Sequence, residues 1–538
     1  PTGLIEKGRE NLLLQSNQFD TTWSNSNTDE TSGQSGYDGS SDAWSVFPTI
    51  TTGNCSIRQN LSPTGVRTFS VYAKANGGNA ISLRTNYSST TTWFDLSNGT
   101  IGTTSSAVID SSILDLGNGW YRCSTTFSNA MTSVRIYISD AVNNFSCTIN
   151  NGVYLQDAQL EIGLAATDYI ESGATTGKAG LLEDEPRFDY SGGATCPSLL
   201  LEPSRTNLIE YSEYLNSGWS YARSSSSLSL VVSPDGDSKS YKFIETLDTN
   251  KSFYIYQRPT SVSGQTYTQS IFAKAGERNW LKVELNAKYA YFDLTNGVIG
   301  STSSSTTANI EQLSNGWYRC SVSAITTSTA PYIAYYLAIA DGDSVYDGDG
   351  TSGLYLWGGQ YEQGSYATSY IPNHSGGTIT RGADACGDAG DASTFNSTEG
   401  VLYAELAALA DDGTLRVLSI SDGTSNNRIQ VRYDSSSNSI TIIYRVSGGS
   451  FVVLTKVISN TEDFIKLSFK WKSGDFALWI NGVEEQTSSN TTMLPIDTLN
   501  RLDFNDSTGA SDFYGKVKQV IVFPTALSDT DLTTLTTI

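Results

Sequence analysis

Apolar and polar residues alternate along most of this chain with the two-residue period of a β-strand. Val71 and Ala73 follow the alternation, and so do Leu281, Val283 and Leu285 in a later segment. Asn-Gly pairs separate many of these runs, and such pairs readily adopt the positive φ of a tight hairpin turn. Helical periodicity is almost absent. The pattern predicts an all-β protein whose short strands pack as two-sheet sandwiches or jelly rolls.

The chain contains the same strand-rich module twice. Both copies keep one order of motifs, with only small insertions and deletions between them, as expected when loops vary around a fixed scaffold. The matched segments are 9–13 with 205–209, 71–75 with 271–275, 94–99 with 292–297, 118–123 with 315–320, 154–161 with 355–362 and 169–170 with 370–371. We therefore predict one fold repeated twice, with Cα traces that superpose over the matched strands.

The region after Gly400 has a different pattern. Residues 465–471 alternate strictly, pass through a turn at 472–475 and continue to Asn481-Gly482. This is typical of a hairpin with one buried and one exposed face. Ser528 is suited to cap a short helical turn near the end of the sequence. The region predicts a third β-sandwich.

These observations divide the chain into three folded units. The predicted limits are a connector over 1–8, module 1 over 9–171, a linker over 172–204, module 2 over 205–372, a linker over 373–399 and the C-terminal sandwich over 400–538. Both linkers are rich in Gly, Ser and Asp, a composition typical of connecting segments. At 538 residues the chain is also too long for a single hydrophobic core.

The net charge of the chain limits the classes of molecule that it is expected to bind. The formal net charge is −22 and the isoelectric point is about 4.4, which argues against nucleic acid or an anionic membrane surface. No apolar run approaches the roughly 20 residues that a membrane-spanning helix needs, so we expect no membrane insertion. The sequence contains no heptads. The homo-oligomer that we expect would therefore form through contacts between β-domains.

The six cysteines form neither a CxxC motif nor a Cys/His cluster, so a zinc site is not expected. Cys55 and Cys147 both lie in module 1, and neither has a counterpart in module 2. These two could form a disulfide. The alternative is that all six are reduced thiols, most of them in the core.

The repeated module resembles a family found in virion appendage proteins of tailed phages. The motifs that carry the resemblance are Arg-x-Asn-Leu-Leu/Ile with a following Trp, Tyr/Phe-Ala-Lys-Ala, Phe-Asp-Leu-x-Asn-Gly, Asn-Gly-Trp-Tyr-Arg-Cys and a closing Gln-x-Glu. This resemblance implies a jelly roll similar to carbohydrate-binding modules. Residues 466–482 and 515–520 make the last domain resemble a laminin-G or concanavalin-A-like sandwich.

Catalysis is not expected, and no catalytic residue is assigned. The only histidine, His374, lies in a Gly/Ser-rich linker, which is a poor place for the base of a Ser-His-Asp or Cys-His arrangement. A glycosidase needs only two carboxylates, which composition cannot exclude. However, such pairs normally sit in the cleft of a larger catalytic domain, and no segment is left over to build one.

Aromatic residues that differ between the two copies are the candidates for glycan binding, because sugars stack on aromatic faces. Trp93 aligns with Tyr291, while Trp280 and Trp357 occur only in module 2. Each could also be a core residue. Aromatics shared by both copies, such as Trp120 and Trp317, are predicted to belong to the core.

A second candidate site is an acidic loop in module 2. Asp341, Asp343, Asp347 and Asp349 alternate with glycines, and carboxylates on a flexible turn suit calcium as a cofactor. The spacing is not that of an EF-hand. The simpler alternative is a solvated acidic turn.

Together, the sequence and the resemblance favour a non-enzymatic virion surface appendage that binds a host cell-surface glycan and contacts other virion proteins. It would be assembled in the host cytoplasm and become extracellular after release. One alternative is a purely structural decoration or spacer protein of the virion, and another is a fragment of a polysaccharide-degrading enzyme. Binding without product release would favour the first, and fold alone does not decide among the three.

Overall fold

A computed structural model describes residues 5, 7–182, 185–190, 196–237 and 239–538. The protein is all-β, as predicted, and each sandwich has its own hydrophobic cluster between two sheets. Within the described residues, no helix has the length and apolar character needed to cross a bilayer.

Module 1 is a sandwich of two six-stranded antiparallel sheets, and its first and last strands form a separate short pair. Its strands are β1 (Arg9–Asn11), β2 (Ser24–Ser26), β3 (Thr28–Gln34), β4 (Ala43–Pro48), β5 (Cys55–Asn60), β6 (Arg67–Asn76), β7 (Ala80–Thr85), β8 (Thr92–Asp95), β9 (Thr100–Thr104), β10 (Val108–Gly117), β11 (Trp120–Phe127), β12 (Ser133–Ser139), β13 (Gly152–Ile162) and β14 (Gly177–Ala179). Sheet A has the order β10-β11-β6-β13-β4-β3, and sheet B has the order β2-β5-β12-β7-β8-β9.

Module 2 repeats this architecture strand for strand. Two strands that precede it, β15 (Arg187–Asp189) and β16 (Ser198–Leu201), belong to the C-terminal sandwich. The strands of module 2 are β17 (Arg205–Asn207), β18 (Ser220–Ala222), β19 (Ser224–Val232), β20 (Lys239–Glu245), β21 (Tyr254–Gln257), β22 (Thr266–Lys274), β23 (Trp280–Leu285), β24 (Lys288–Asp293), β25 (Val298–Thr302), β26 (Thr307–Gln312), β27 (Trp317–Ile325), β28 (Ile333–Ala338), β29 (Gly353–Gln363) and β30 (Ile379–Arg381). Sheet C has the order β26-β27-β22-β29-β20-β19, and sheet D has the order β18-β21-β28-β23-β24-β25. These orders match sheets A and B, which confirms that one fold occurs twice.

The C-terminal sandwich packs a seven-stranded sheet against a five-stranded one. Its remaining elements are β31 (Glu399–Ala408), β32 (Arg416–Ser421), β33 (Arg428–Tyr433), β34 (Ser439–Val446), β35 (Gly449–Val457), β36 (Ile465–Lys472), β37 (Phe476–Ile480), β38 (Val483–Ser488), β39 (Arg501–Asp503), β40 (Gly515–Phe523) and helix α1 (Asp529–Thr536). The orders are β15-β16-β40-β31-β36-β37-β38 and β35-β34-β33-β32-β39. Ser528 caps α1, as predicted, by accepting a hydrogen bond from the Asp531 backbone N–H.

The segment predicted as a linker over 172–204 is not a free connector. Strand β14 pairs with β1 of module 1, whereas β15 and β16 extend the seven-stranded sheet through the register of Leu199 with Val517. The C-terminal sandwich therefore contains residues from both sides of module 2. Short strands flanked by glycines resemble a linker in sequence, because the partner strand lies more than 300 residues away along the chain.

The repeated motifs form a buried polar network. Asn11 has no exposed surface, donates to the Ala158 and Ile170 carbonyls and accepts from two backbone N–H groups. Asn207 makes the same four bonds in module 2. Two of the four bonds go to backbone groups at or beside the bulge of β13 or β29, and each bond satisfies a group that is buried from water. This role in folding explains why the asparagine recurs in both copies. Trp120 and Trp317 are core residues, as predicted, with 3% and 1% exposure.

Candidate functional site

The outer face of sheet D carries a cluster of tyrosines, most of which are partly exposed. Strand alternation sends Leu281 and Val283 into the core and leaves Lys282 on the outside. Lys282 lies opposite Tyr336, and Tyr336 lies opposite Tyr254, so these three side chains form one row across three strands. The tyrosine face comprises Tyr254, Tyr256, Tyr289, Tyr332 and Tyr336 around Lys282 and Glu284.

Ring contacts hold the tyrosine face together. The Tyr254 and Tyr336 ring centroids are 4.5 Å apart, and those of Tyr256 and Tyr332 are 4.8 Å apart. The Lys282 ammonium lies 4.4 Å from the Tyr336 centroid and is 2.6 Å from Glu284 Oε2. Flat aromatic surfaces beside a charged pair provide both the stacking planes and the hydrogen-bonding groups that a polyhydroxylated ligand needs.

Two phenols of this face, those of Tyr332 and Tyr336, remain protonated at neutral pH. Burial raises the pKa of Tyr336, and the nearby Glu284 carboxylate raises it further. Burial also raises the pKa of Tyr332, as does its hydrogen bond with Tyr254. These two phenols can therefore donate a hydrogen bond as well as accept one.

Two of the predicted aromatic residues lie beside this face. Trp280 is partly buried on the outward side of β23, and the Gly300 backbone approaches its ring so closely that an added Cβ would lie 2.8 Å from Cζ3. Tyr291 is on the same side, directly opposite Lys282, but it is only 5% exposed. Its hydroxyl is 3.0 Å from Ser344 Oγ. Trp280 thus stays a candidate, whereas the Tyr291 ring presents little surface to a ligand.

In module 1 the corresponding face is covered. Trp93 is 4% exposed because Phe145 packs against it, with centroids 4.7 Å apart, and Phe145 also contacts Tyr137 at 4.9 Å. Two residues after Phe145, Cys147 forms a disulfide with Cys55 at the start of β5. The Trp93 ring is therefore not a stacking surface in this structure, since a disulfide-anchored loop lies over it.

Trp357 is a core residue, contrary to the prediction that it contacts a glycan. It has no exposed surface and packs at 5.3 Å from Phe272 and 4.8 Å from Tyr370. It lies on the outer side of sheet C, where Tyr370 and the distant residue Ile5 cover it. A ring without exposed surface offers no face to a sugar.

The structure does not bring together the four carboxylates that we predict as a calcium site. Within the described residues, no three His, Cys, Asp or Glu side chains are placed to hold a metal ion. The four carboxylates accept hydrogen bonds from different partners instead: Asp341 from Ser301, Asp343 from Val345, Asp347 from Asn250, and Asp349 from Thr351 and Ser352. Asp343 and Asp349 stabilise their own turns, whereas Asp341 and Asp347 tie the loop to the distant segments at Ser301 and Asn250.

A second surface feature is a cavity of about 470 Å³ in module 1. This acidic pocket is lined by Asn17, Tyr37, Asp38, Asp42, Tyr72, Asp157, Asp168, Tyr169 and Glu171. Tyr37 stacks on Tyr72 with centroids 3.9 Å apart and donates a hydrogen bond of 3.0 Å to Asp157. Asp157 is 5% exposed and has a φ of 54°, because a bulge interrupts β13 at this point.

The pKa of Asp157 is raised to about 7, mainly by burial and also by the carboxylates of Asp42 and Asp38, against the lowering effect of its hydrogen bonds. The folded chain therefore holds a proton that the unfolded chain releases near its ordinary value of about 4. Stability conferred by this proton is present at low pH and is lost as the pH rises through 7. We expect Asp157→Asn to raise the melting temperature of module 1 above about pH 7 and to leave it unchanged below about pH 4. Equal differences at both pH values in thermal scans would contradict this.

Sequence reasoning missed both the tyrosine face and the acidic pocket. A usable signal was nevertheless present for the first. Tyr254 and Tyr256 replace Ser56 and Arg58 of module 1 in the matching register positions, so they differ between the copies just as Trp280 does. The pocket had no such signal, since its carboxylates come from segments more than 100 residues apart.

Comparison with known proteins supports the assignment of the last domain. Residues 403–533 match the family described as the concanavalin A-like lectin/glucanases superfamily. No match is found among curated proteins. Among solved structures, the N-terminal CBM22-1-CBM22-2 tandem domain of Paenibacillus barcinonensis Xyn10C is similar at 12% identity and a TM-score of 0.21, covering 67% of this chain and 99% of that one. Domains LG4-5 of the mouse laminin alpha1 chain are similar at 11% identity and a TM-score of 0.20, covering 52% and 90%.

Proposed function

We propose that this protein is a non-enzymatic appendage of a tailed-phage virion that binds glycans of the host surface. The observation that carries the binding proposal is the tyrosine face of module 2. The motifs shared with phage appendage proteins support the virion surface as its location and other virion proteins and further copies of the chain as its partners.

The chemistry of the tyrosine face suits a sugar. The C–H face of a pyranose stacks on an aromatic ring, and the rings of Tyr256 and Tyr332 are both partly exposed. Sugar hydroxyls both donate and accept hydrogen bonds, and Glu284, Lys282 and the phenols of Tyr332 and Tyr336 complement them. An acidic chain gains nothing from long-range attraction to an anionic polymer, so a neutral glycan fits best.

Adhesion would depend on several weak sites acting together. Stacking on one ring contributes about 1 kcal/mol, and millimolar affinity needs about 4 kcal/mol, so the rings and hydrogen bonds of one face together give roughly millimolar binding. A concanavalin A-like sandwich in the same chain, and several chains in one appendage, would raise the overall affinity by about 100-fold or more through effective concentration.

We expect Tyr256→Ala to weaken binding of a soluble monosaccharide about five-fold, because the stacking plane contributes about 1 kcal/mol. Adhesion to a polyvalent glycan surface should weaken by a larger factor, because this loss is repeated at each site. A glycan array probed with the intact chain would identify the ligand. Surface binding assays would then compare variants.

The matched control is Tyr87→Ala, which removes a tyrosine ring with 49% exposure in module 1, away from the tyrosine face. It should bind like the wild type. Reducing-sugar release should be measured in the same assays. Product formation would refute the non-enzymatic role, and a chain that binds no glycan would favour the decoration or spacer alternative.

A further inference from the structure

The N-terminal segment of the chain occupies a pocket of module 2. The Lys7 ammonium is 2.7 Å from Asp235 Oδ2 and 3.2 Å from Glu213 Oε1. Neither carboxylate side chain has exposed surface, so Lys7 compensates two buried negative charges. Ile5 enters the adjoining apolar cluster and donates a backbone hydrogen bond of 3.0 Å to the Pro234 carbonyl.

Module 1 has the equivalent pocket, because the same wall is built in both copies. The Tyr370 hydroxyl is 2.8 Å from Ser212 Oγ at the floor of the module 2 pocket. In module 1 the Tyr169 hydroxyl is 2.6 Å from Ser16 Oγ. These four residues occupy matching positions of the repeat, and Tyr169 lines the acidic pocket.

The positions that hold Lys7 also have counterparts in the acidic pocket. Asp235 corresponds to Asp38, since both precede a glycine with φ near 80° in the turn before the matching strands β20 and β4. Glu213 corresponds to Asn17, which follows the serine at the floor. Both Asp38 and Asn17 line the acidic pocket.

Module 1 has kept the negative charge of this pocket without a cation. Five carboxylates line it, and none of its described lining residues is a lysine or an arginine. Asp157 stands where module 2 has Gly358, so a buried carboxylate has been added next to the position of the missing ammonium. The N-terminal segment cannot compensate it, because Lys7 is bound to module 2.

We propose that the acidic pocket of module 1 binds an extended segment of a partner protein that carries an apolar residue and, two positions later, a lysine. The partner segment would repeat the way in which Ile5 and Lys7 dock on module 2. Its ammonium would lie between Asp38 and Asp157, and its apolar side chain would pack near Tyr37.

The probe for this interface is a fluorescent peptide with the sequence of residues 3–9, Gly-Leu-Ile-Glu-Lys-Gly-Arg, titrated into the intact chain. We expect saturable binding, and we expect replacement of the peptide lysine by glutamine to weaken it about 30-fold. Removing one partner of a desolvated charge pair has an effect of this size. Asp38→Asn in the protein should weaken binding of the lysine peptide, and Asp157→Asn should weaken it more.

The matched control is Asp29→Asn, which removes the same charge from an exposed position of β3. It should leave peptide binding unchanged. The peptide could also displace the chain's own segment from module 2, but that binding would persist in the Asp38→Asn/Asp157→Asn double variant. The proposal is overturned if the lysine peptide still binds the double variant. It is also overturned if the glutamine peptide binds the wild type as tightly as the lysine peptide does, or if the lysine peptide does not bind the wild type.

Discussion

Trp357→Ala should destabilise module 2 by about 3–5 kcal/mol. This is the usual range for truncating a fully buried tryptophan, because a large cavity remains after the apolar contacts are lost. The ring is in contact with Phe272 and Tyr370 and has no exposed surface. Denaturant unfolding of the intact chain, with the amides of β22 and β29 followed by hydrogen exchange, would measure the change.

Two variants calibrate this result. Trp317→Ala should cost a similar amount, since Trp317 belongs to the same cluster and is 1% exposed. Trp280→Ala should cost about 1 kcal/mol or less, because its ring is partly exposed on the outer side of β23. If Trp357→Ala were as mild as Trp280→Ala, the burial of Trp357 would be disproved.

Loss of the Cys55–Cys147 disulfide should destabilise module 1 by about 2–5 kcal/mol. The bond joins residues 92 apart, and a crosslink over such a distance restricts the unfolded chain strongly. It also holds the loop that carries Phe145 over Trp93 and Tyr137. Unfolding of the Cys55→Ser/Cys147→Ser variant should therefore begin at lower denaturant, while module 2 keeps its transition.

Reducing agent provides the internal control for this experiment. Wild-type protein in reductant should unfold like the double serine variant, and the variant itself should be indifferent to reductant. The free buried thiols Cys123 and Cys320 are common to both proteins and cancel in the comparison. A variant that is as stable as the oxidised wild type would show that the crosslink contributes nothing to module 1.

The fold could be predicted because its signals are local. Alternation along β36 and turn chemistry at Asn481-Gly482 give strands and hairpins directly. The repeated Asn of β1 and β17 is informative for a related reason. A buried amide that satisfies four backbone groups tolerates little substitution, so it recurs at the same place in both copies.

The site was harder to predict because exposure depends on distant parts of the chain. Trp357 and Tyr256 both differ between the copies, so comparison of the repeats makes them equally good candidates for glycan binding. Ile5, which is distant in the sequence, helps to cover Trp357, whereas Tyr256 is partly exposed among the described residues. Likewise, Trp93 would lie open without the loop that carries Phe145, which is anchored through a cysteine pair that could be read either as thiols or as a disulfide.

The pairing of β16 with β40 has a mechanical consequence. Because β15 and β16 belong to the C-terminal sandwich, module 2 is inserted between two parts of that sandwich. Tension applied between module 1 and the end of the chain would enter the sandwich at β15 and leave it beyond α1. Module 2 would lie outside the path along which the force is transmitted. It would stay folded under load for as long as β16 remains in the sheet. The tyrosine face would then keep its shape while the chain around it is pulled.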